Sequence, residues 1–162
     1  VAEVNGKREA RKGAFVERMK DVFQKLLPEA ESRGVKLGVE NRQSLEVLPL
    51  ESDYALLFRE LPSPNLVYWH DTGHAQIKEN LGFLHHAFHL ESLRDRLAGF
   101  HIHDVQFPGR DHCSPGSGTV DFASLKPAIK PQQIKVFEFS PSMTVDELKS
   151  GVAHVKALWG EG

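Results

Sequence analysis

Apolar residues recur along this chain in two alternating spacings, one helical and one extended. Phe15, Met19, Val22, Phe23 and Leu26 fall at intervals of 4, 3, 1 and 3, which places them on one helical face with lysines and arginines opposite. Pro28 is expected to kink or end this helix, and Gly34 to terminate it, since glycine tolerates the left-handed conformation after a helix. The short run Val35-Lys36-Leu37-Gly38-Val39 then reaches Glu40 and has the length of a buried strand. The alternation repeats. Tyr54, Leu57, Phe58 and Leu61 make a second helical stripe, a loop from Pro62 to Pro64 follows, and Leu66-Val67-Tyr68-Trp69 leads to Asp71. Leu84 to Leu97 reads as a helix, after which Ala98-Gly99-Phe100 runs into His101. A Gly- and Pro-rich loop, Pro108 to Gly118, precedes a short helix around Phe122 to Ile129, and Ile134-Lys135-Val136-Phe137 reaches Glu138. The last helix opens on Ser142 or Thr144 as its cap, carries Asp146 and Glu147 in its first turn and runs to about Trp159.

Four strands alternating with helices predict an α/β fold of parallel βα units. With no low-complexity segment and no linker, residues 1–162 read as one domain. Composition adds limits rather than detail. Hydrophobic residues are 40% and charged residues 26%, ordinary for a globular protein, and the net charge of −2 supplies no global field for nucleic acid or an anionic membrane. A single cysteine, Cys113, excludes an internal disulfide framework and fits a reducing compartment. Charges interrupt every apolar run near the N-terminus, so no signal peptide is expected, and no stretch approaches the roughly 18 apolar residues of a membrane span. A cytoplasmic location is expected.

The chemistry sits at the strand ends. Glu40, Asp71, His101 and Glu138 are separated by 31, 30 and 37 residues. A βαβ step takes about 30 residues or more, so these four side chains occupy the same level of successive strands. Right-handed crossovers keep the ends on one side of the sheet, which in a (β/α) barrel is the C-terminal face where active sites lie. One acid at a strand end is more often a helix cap. Three carboxylates and an imidazole converging there repel one another unless a cation joins them. Oxygen-rich ligation with one nitrogen favours Mn, Mg or Co and admits Zn.

The strings Gly38-Val39-Glu40-Asn41, Asp71-Thr72-Gly73-His74, His101-Ile102-His103-Asp104 and Pro115-Gly116-Ser117-Gly118-Thr119-Val120-Asp121-Phe122, with the late Glu138, resemble the xylose isomerase-like TIM-barrel superfamily. That group contains sugar-phosphate isomerases and epimerases, ketose 3-epimerases and type IV apurinic endonucleases. The resemblance runs from about Gly34 to the C-terminus and corresponds to the second half of the family fold. It implies one divalent metal on Glu40, Asp71, His101 and Glu138, with Glu40 and Glu138 also exchanging the substrate proton. It further implies that His74 contacts substrate or a second metal and that His112 belongs to a histidine segment. The endonucleases carry an acid two residues before that histidine, whereas here Asp111 stands immediately before it. Arg42, Asp104, His74 and His112 are the expected substrate contacts. His103 and Asp104 read either as a pair orienting His101 or as a solvent-facing loop pair.

Other features read structurally. Gly116-Ser117-Gly118 suits a tight turn better than a phosphate cradle; His85, His86 and His89 read as helix surface or interface; Trp69 and Trp159 read as packing residues. A complete barrel takes about 250 residues, with about 200 as a lower limit. A chain that opens on Val1 rather than Met and carries four strands is therefore expected to be part of a longer protein or to be completed by another chain, identical or not. The expected activity is isomerisation or epimerisation of a small sugar or sugar phosphate, without nucleic-acid or membrane partners. An apurinic-site endonuclease and a non-catalytic metal-binding remnant are the alternatives.

Overall fold

The computed structural model describes residues 2–49 and 51–160. Helix α1 (Ala2–Ser32) passes through Pro28 without ending there: Arg33 N–H still bonds Glu29 O at 3.2 Å, and Val35 N–H reaches Ala30 O at 2.8 Å. Gly34 ends it at φ 63, the left-handed conformation that costs glycine no Cβ clash. There follow β1 (Leu37–Glu40), α2 (Asp53–Glu60), β2 (Leu66–Asp71), α3 (Thr72–Asn80), α4 (His86–Ser92) and β3 (Leu97–Ile102). The remainder comprises β4 (Asp104–Gln106), β5 (Arg110–Cys113), α5 (Phe122–Leu125) with a 3₁₀ turn Lys126–Ala128, β6 (Ile134–Phe137) and α6 (Val145–Trp159).

Strands β1, β2, β3 and β6 form one parallel sheet in that order, while β4 and β5 pair antiparallel as a separate hairpin. Three features differ from the sequence reading. The helix expected over Leu84 to Leu97 is only the seven-residue α4, because Leu97 is taken into β3 opposite Tyr68. Helix α3 was hidden by its polar composition, and the β4–β5 hairpin lies partly inside the segment expected to be loop.

The outer face of the sheet is the packed one. Leu66, Tyr68, Phe100 and Ile102 are fully buried against Tyr54, Leu57, Leu90, Phe122 and Trp159 from the helices. Trp159 Nε1–H donates to Phe122 O at 2.8 Å, anchoring α6. That helix begins with a capping box, Thr144 and Glu147 each accepting the other's backbone N–H. The inner face carries Gly38, Trp69, Gly99, Ile134 and Val136 below the strand tips. The Trp69 ring lies over Gly99, where a Cβ would come within 2.5 Å of it. Ile134 and Val136 are 59% and 41% exposed, so this half of a barrel wall keeps a bare apolar lining.

The outer face also corrects the reading of the α4 histidines. His85 is exposed, but His86 and His89 are buried with His70 in a polar chain inside the core. Gln76 Nε2 donates to Asn80 Oδ1, so its Oε1 accepts from His86 Nδ1–H at 3.1 Å. His86 Nε2 must then accept from His70 Nε2–H (2.9 Å), His70 Nδ1 from Tyr68 O–H (3.0 Å), and Tyr68 O from His89 Nε2–H (3.1 Å). Helical spacing is shared by surface and core positions, and only the partners on β2 and α3 decide between them.

Candidate metal centre at the strand tips

Side chains beyond the ladder lock the strand tips in register. Asn41, just after β1, donates Nδ2–H to Asp71 O (2.9 Å) and accepts Asp71 N–H on Oδ1 (2.7 Å). Thr72, just after β2, repeats the device between β2 and β3. Its hydroxyl donates to His103 O (2.7 Å) and accepts His103 N–H (3.1 Å). Glu138 N–H bonds Ile102 O at 3.1 Å and extends the β6 pairing past the strand's end. The buried amide of Asn41 and the buried hydroxyl of Thr72 thus pin adjacent tips through side chains about 30 residues distant in sequence.

The tips converge on one nitrogen. His101 Nδ1 lies 2.8 Å from Glu40 Oε1, 3.5 Å from Glu138 Oε2 and 3.8 Å from Asp71 Oδ2. Glu40, Asp71 and His101 offer ligand atoms all within 4.8 Å of one another. Glu138 sits between two imidazoles: its Oε1 faces His112 Nε2 at 3.8 Å, and it groups with His103 and His112 in a second cluster of the same spacing. The four expected ligands therefore stand as a tight trio with Glu138 turned partly aside.

Asp71 is the fixed point. It is 1% exposed, caps α3 by accepting His74 N–H on Oδ1 (2.7 Å), and receives His103 Nε2–H at 3.0 Å. Burial disfavours its charge, but the His103 bond and the nearby His74 outweigh burial and hold its carboxyl below the usual range. Burial also pulls His103 down, and the bond to Asp71 reverses this and raises it. His112 N–H donates to His103 Nδ1 at 2.9 Å, so the ring is neutral in this arrangement and both its nitrogens are engaged. His103 thus holds Asp71 in place and has no ring nitrogen left over for the second cluster. Gly73 makes room for it: a Cβ there would lie 1.9 Å from His103 Cε1.

His74 donates Nδ1–H to Asn41 O at 2.8 Å. His112 holds φ 55, unusual for a residue with a side chain. Its N–H on His103 and its O, accepting Ser140 N–H at 3.1 Å, keep it there, with its ring stacked 4.3 Å from that of His103. Arg42 is exposed on the loop after Asn41.

Asp104 is a correction. It is fully buried, and its carboxylate accepts four backbone N–H groups, from Val105, Gly116, Gly118 and Val120, at 2.7–3.0 Å. No lone pair is left facing a substrate; Asp104 organises the loop after the hairpin. The same bonds use up two N–H groups of the Gly116-Ser117-Gly118 segment, in keeping with a turn there. Asn41, Thr72 and Gly73, to which the sequence reading gave no role, set the geometry. Their signal was only their position directly after a strand.

The structure resembles a D-tagatose 3-epimerase-like protein (TM-score 0.73, 18% identity, 90% of this chain and 54% of that one). It also resembles D-psicose 3-epimerase from Clostridium cellulolyticum H10 (0.70, 13%, 89% and 56%) and 3-keto-D-glucoside 4-epimerase from E. coli (0.64, 19%, 88% and 53%). The chain spans about half the length of these structures, and its four-stranded sheet matches part of their barrels. No match to the sequence was found among curated proteins. The family profile described as xylose isomerase-like TIM barrel matches residues 2–158, and the chain belongs to that family.

Proposed function

We propose that this chain carries the metal-binding half of a sugar isomerase or epimerase, with Glu40, Asp71, His101 and Glu138 as ligands of one divalent cation and Glu40 and Glu138 as acid and base. The observation that carries the reading is the single His101 nitrogen ringed by three carboxylates at 2.8–3.8 Å. Without a positive charge among them these acids repel one another, and three oxygens with one imidazole suit Mn, Mg, Co or Zn. The second cluster does not fit a cation as well, since both His103 nitrogens are already bonded.

A cation held there would polarise a sugar carbonyl and acidify the adjoining C–H. The protein's own part is proton transfer. Strand order places Glu40 on β1 at one end of the row and Glu138 after β6 at the other, with Asp71 and His101 between. A sugar lying across the tips has a carboxylate towards each side. One takes the proton next to the carbonyl to give an enediolate, and the other returns it, on the opposite face for epimerisation. Asp71, held by His103 and the α3 N-terminus, stays anionic throughout. In this reading His74, His112 and Arg42 bind the sugar. Further strands, from the rest of a longer protein or from a second chain, cover Ile134 and Val136 and close the barrel. The substrate is a small sugar rather than nucleic acid, and the location is cytoplasmic; no helix among the described residues is long and apolar enough to cross a membrane.

Elemental analysis tests the reading. One divalent ion per site is expected in the wild type and none in Asp71→Ala, followed by solvent deuterium entering a ketose next to its carbonyl. Wild-type protein without stoichiometric metal, or cleavage of abasic DNA in place of sugar exchange, overturns it.

A further inference from the structure

Beside the strand tips lies a second space. The hairpin and the loop after it, the segment following Glu138 and the start of α6 enclose a cavity of about 460 Å³, a volume typical of small-molecule sites (about 300–1,000 Å³). It shares a wall with the tips, because His112 lines it while its Nε2 lies 3.8 Å from Glu138 Oε1. A molecule with one end at the tips would have to pass His112 to enter this space. Its polar lining includes Arg110, Ser117, Ser140, Ser142, Glu147 and His154.

The bonds already made decide what fits. A phosphate is normally cradled by backbone N–H groups, and here they are spent. Gly116 and Gly118 N–H go to Asp104 at 2.9 Å, and Ser117 N–H goes to Ser114 O at 3.0 Å. At the start of α6 the capping box takes the Thr144 and Glu147 N–H groups. The lining holds two carboxylates, Asp111 and Glu147, and one guanidinium, Arg110, so it is no place for a dianion. The Ser114 and Ser117 hydroxyls donate to Glu147 O (2.8 Å) and Ser114 O (2.7 Å), and those of Ser140 and Ser142 bond each other (2.9 Å), so they present mainly acceptor lone pairs. With the two carboxylates as further acceptors and the Arg110 guanidinium as donor, the lining suits the O–H groups of a neutral, polyhydroxylated group.

We infer that this cavity is a subsite for a second, uncharged sugar unit, so that the substrate of the proposed epimerase is a ketose bearing a glycosyl group rather than a free or phosphorylated one. This rests on the function proposed above, and the test separates the two. Three ketoses differing only at O6 are compared on the intact, barrel-completed, metal-loaded protein: fructose, fructose 6-phosphate and isomaltulose, which carries a glucosyl group there. Solvent deuterium exchange gives KM, and saturation-transfer NMR gives binding. Isomaltulose is expected to show a KM about tenfold below that of fructose, close to 1.4 kcal/mol. Ser150→Trp, a substitution on the exposed rim of the cavity, should abolish that advantage while leaving exchange into fructose unchanged. Equal KM values for all three, or a preference for fructose 6-phosphate, overturns the subsite. If no ketose exchanges, the epimerase reading fails, and the cavity is judged by isomaltulose binding alone: saturation transfer lost in Ser150→Trp supports it, and no transfer in the wild type ends it.

Discussion

His70 and Asp71 are neighbours on β2 and face opposite sides of it, and the two sides treat polar groups in opposite ways. Behind the sheet, Tyr68, His70, His86, His89 and Gln76 form a line in which each hydrogen bond has an uncharged donor and an uncharged acceptor. In front, three carboxylates crowd around one imidazole, and Glu138 leans towards another. The residue type is largely shared, since both sides depend on histidine. What separates them is closure. A line whose donors and acceptors are all matched fixes a core, whereas the front keeps a surplus of negative charge that the proposed cation would balance.

Acid should break this contrast most strongly. Burial, with His89 beside it, pushes His86 down to about 3, and burial pushes His89 down to about 4. Unfolded, each returns to about 6.5. Between those values the unfolded chain binds protons that the folded one refuses, so stability is complete above about pH 6.5 and declines as pH falls, levelling off below the folded values. The decline is about 1.4 kcal/mol per pH unit for each histidine, large against the 5–15 kcal/mol of a typical domain. Urea midpoints measured from pH 7 to pH 4.5 should show it. His89→Gln keeps an N–H donor for Tyr68 and cannot titrate, so the slope should flatten; an unchanged slope would locate the acid sensitivity elsewhere.

Gly73→Ala is next and strikes the front. The new methyl would enter the His103 ring at 1.9 Å, and since Thr72 and His112 hold the His103 backbone and Nδ1, the ring has little freedom to yield. Overpacking of this kind costs about 1–3 kcal/mol, and disturbing the partner of a ligand typically weakens metal binding about 10–100-fold. Thermal melts with and without Mn²⁺, beside a calorimetric metal titration, would register both. A variant that melts lower but binds metal unchanged would strip His103 of its orienting role.

How far the sequence spoke also follows the two faces. The tips were legible because each βα unit brings one acid or histidine to the end of an apolar run, so Glu40, Asp71 and His101 announce themselves at regular intervals. The supports were not. Asn41 and Thr72 act on backbone about 30 residues away, and nothing local marks a side chain that bonds a distant main chain. Helix α3 has too few apolar residues to print a stripe, and its N-terminus is set by the Asp71 carboxylate. Asp104 looked like a site acid because it follows His103, yet its carboxylate is filled by a loop that closes 12 to 16 residues later.

Tyr68→Phe tests whether the two faces are independent. Removing the hydroxyl leaves His70 Nδ1 and His89 Nε2–H buried and unpaired, a loss of about 1–3 kcal/mol. The shape is otherwise kept, so the tips should bind metal as before. A parallel loss of metal affinity would mean that the core line and the tips act as one unit.

The smallest expected effect is the sharpest control on what the histidines mean. His85 stands next to His86 in sequence, but its side chain is 60% exposed, stacks on Phe88, itself 72% exposed, at 4.2 Å, and has only a loose 3.8 Å approach to Glu79 Oε1. Its neighbour bonds two buried partners. His85→Ala should therefore change stability by less than about 0.5 kcal/mol, the usual range for surface positions, and should leave the acid slope untouched. His86→Ala should cost several times more, because it strands His70 Nε2–H and Gln76 Oε1 and opens a void in the core. Equal losses from the two substitutions would show that His85 is covered, and since Phe88 beside it presents an aromatic ring to solvent, that outcome would mark this edge of α4 as a contact surface.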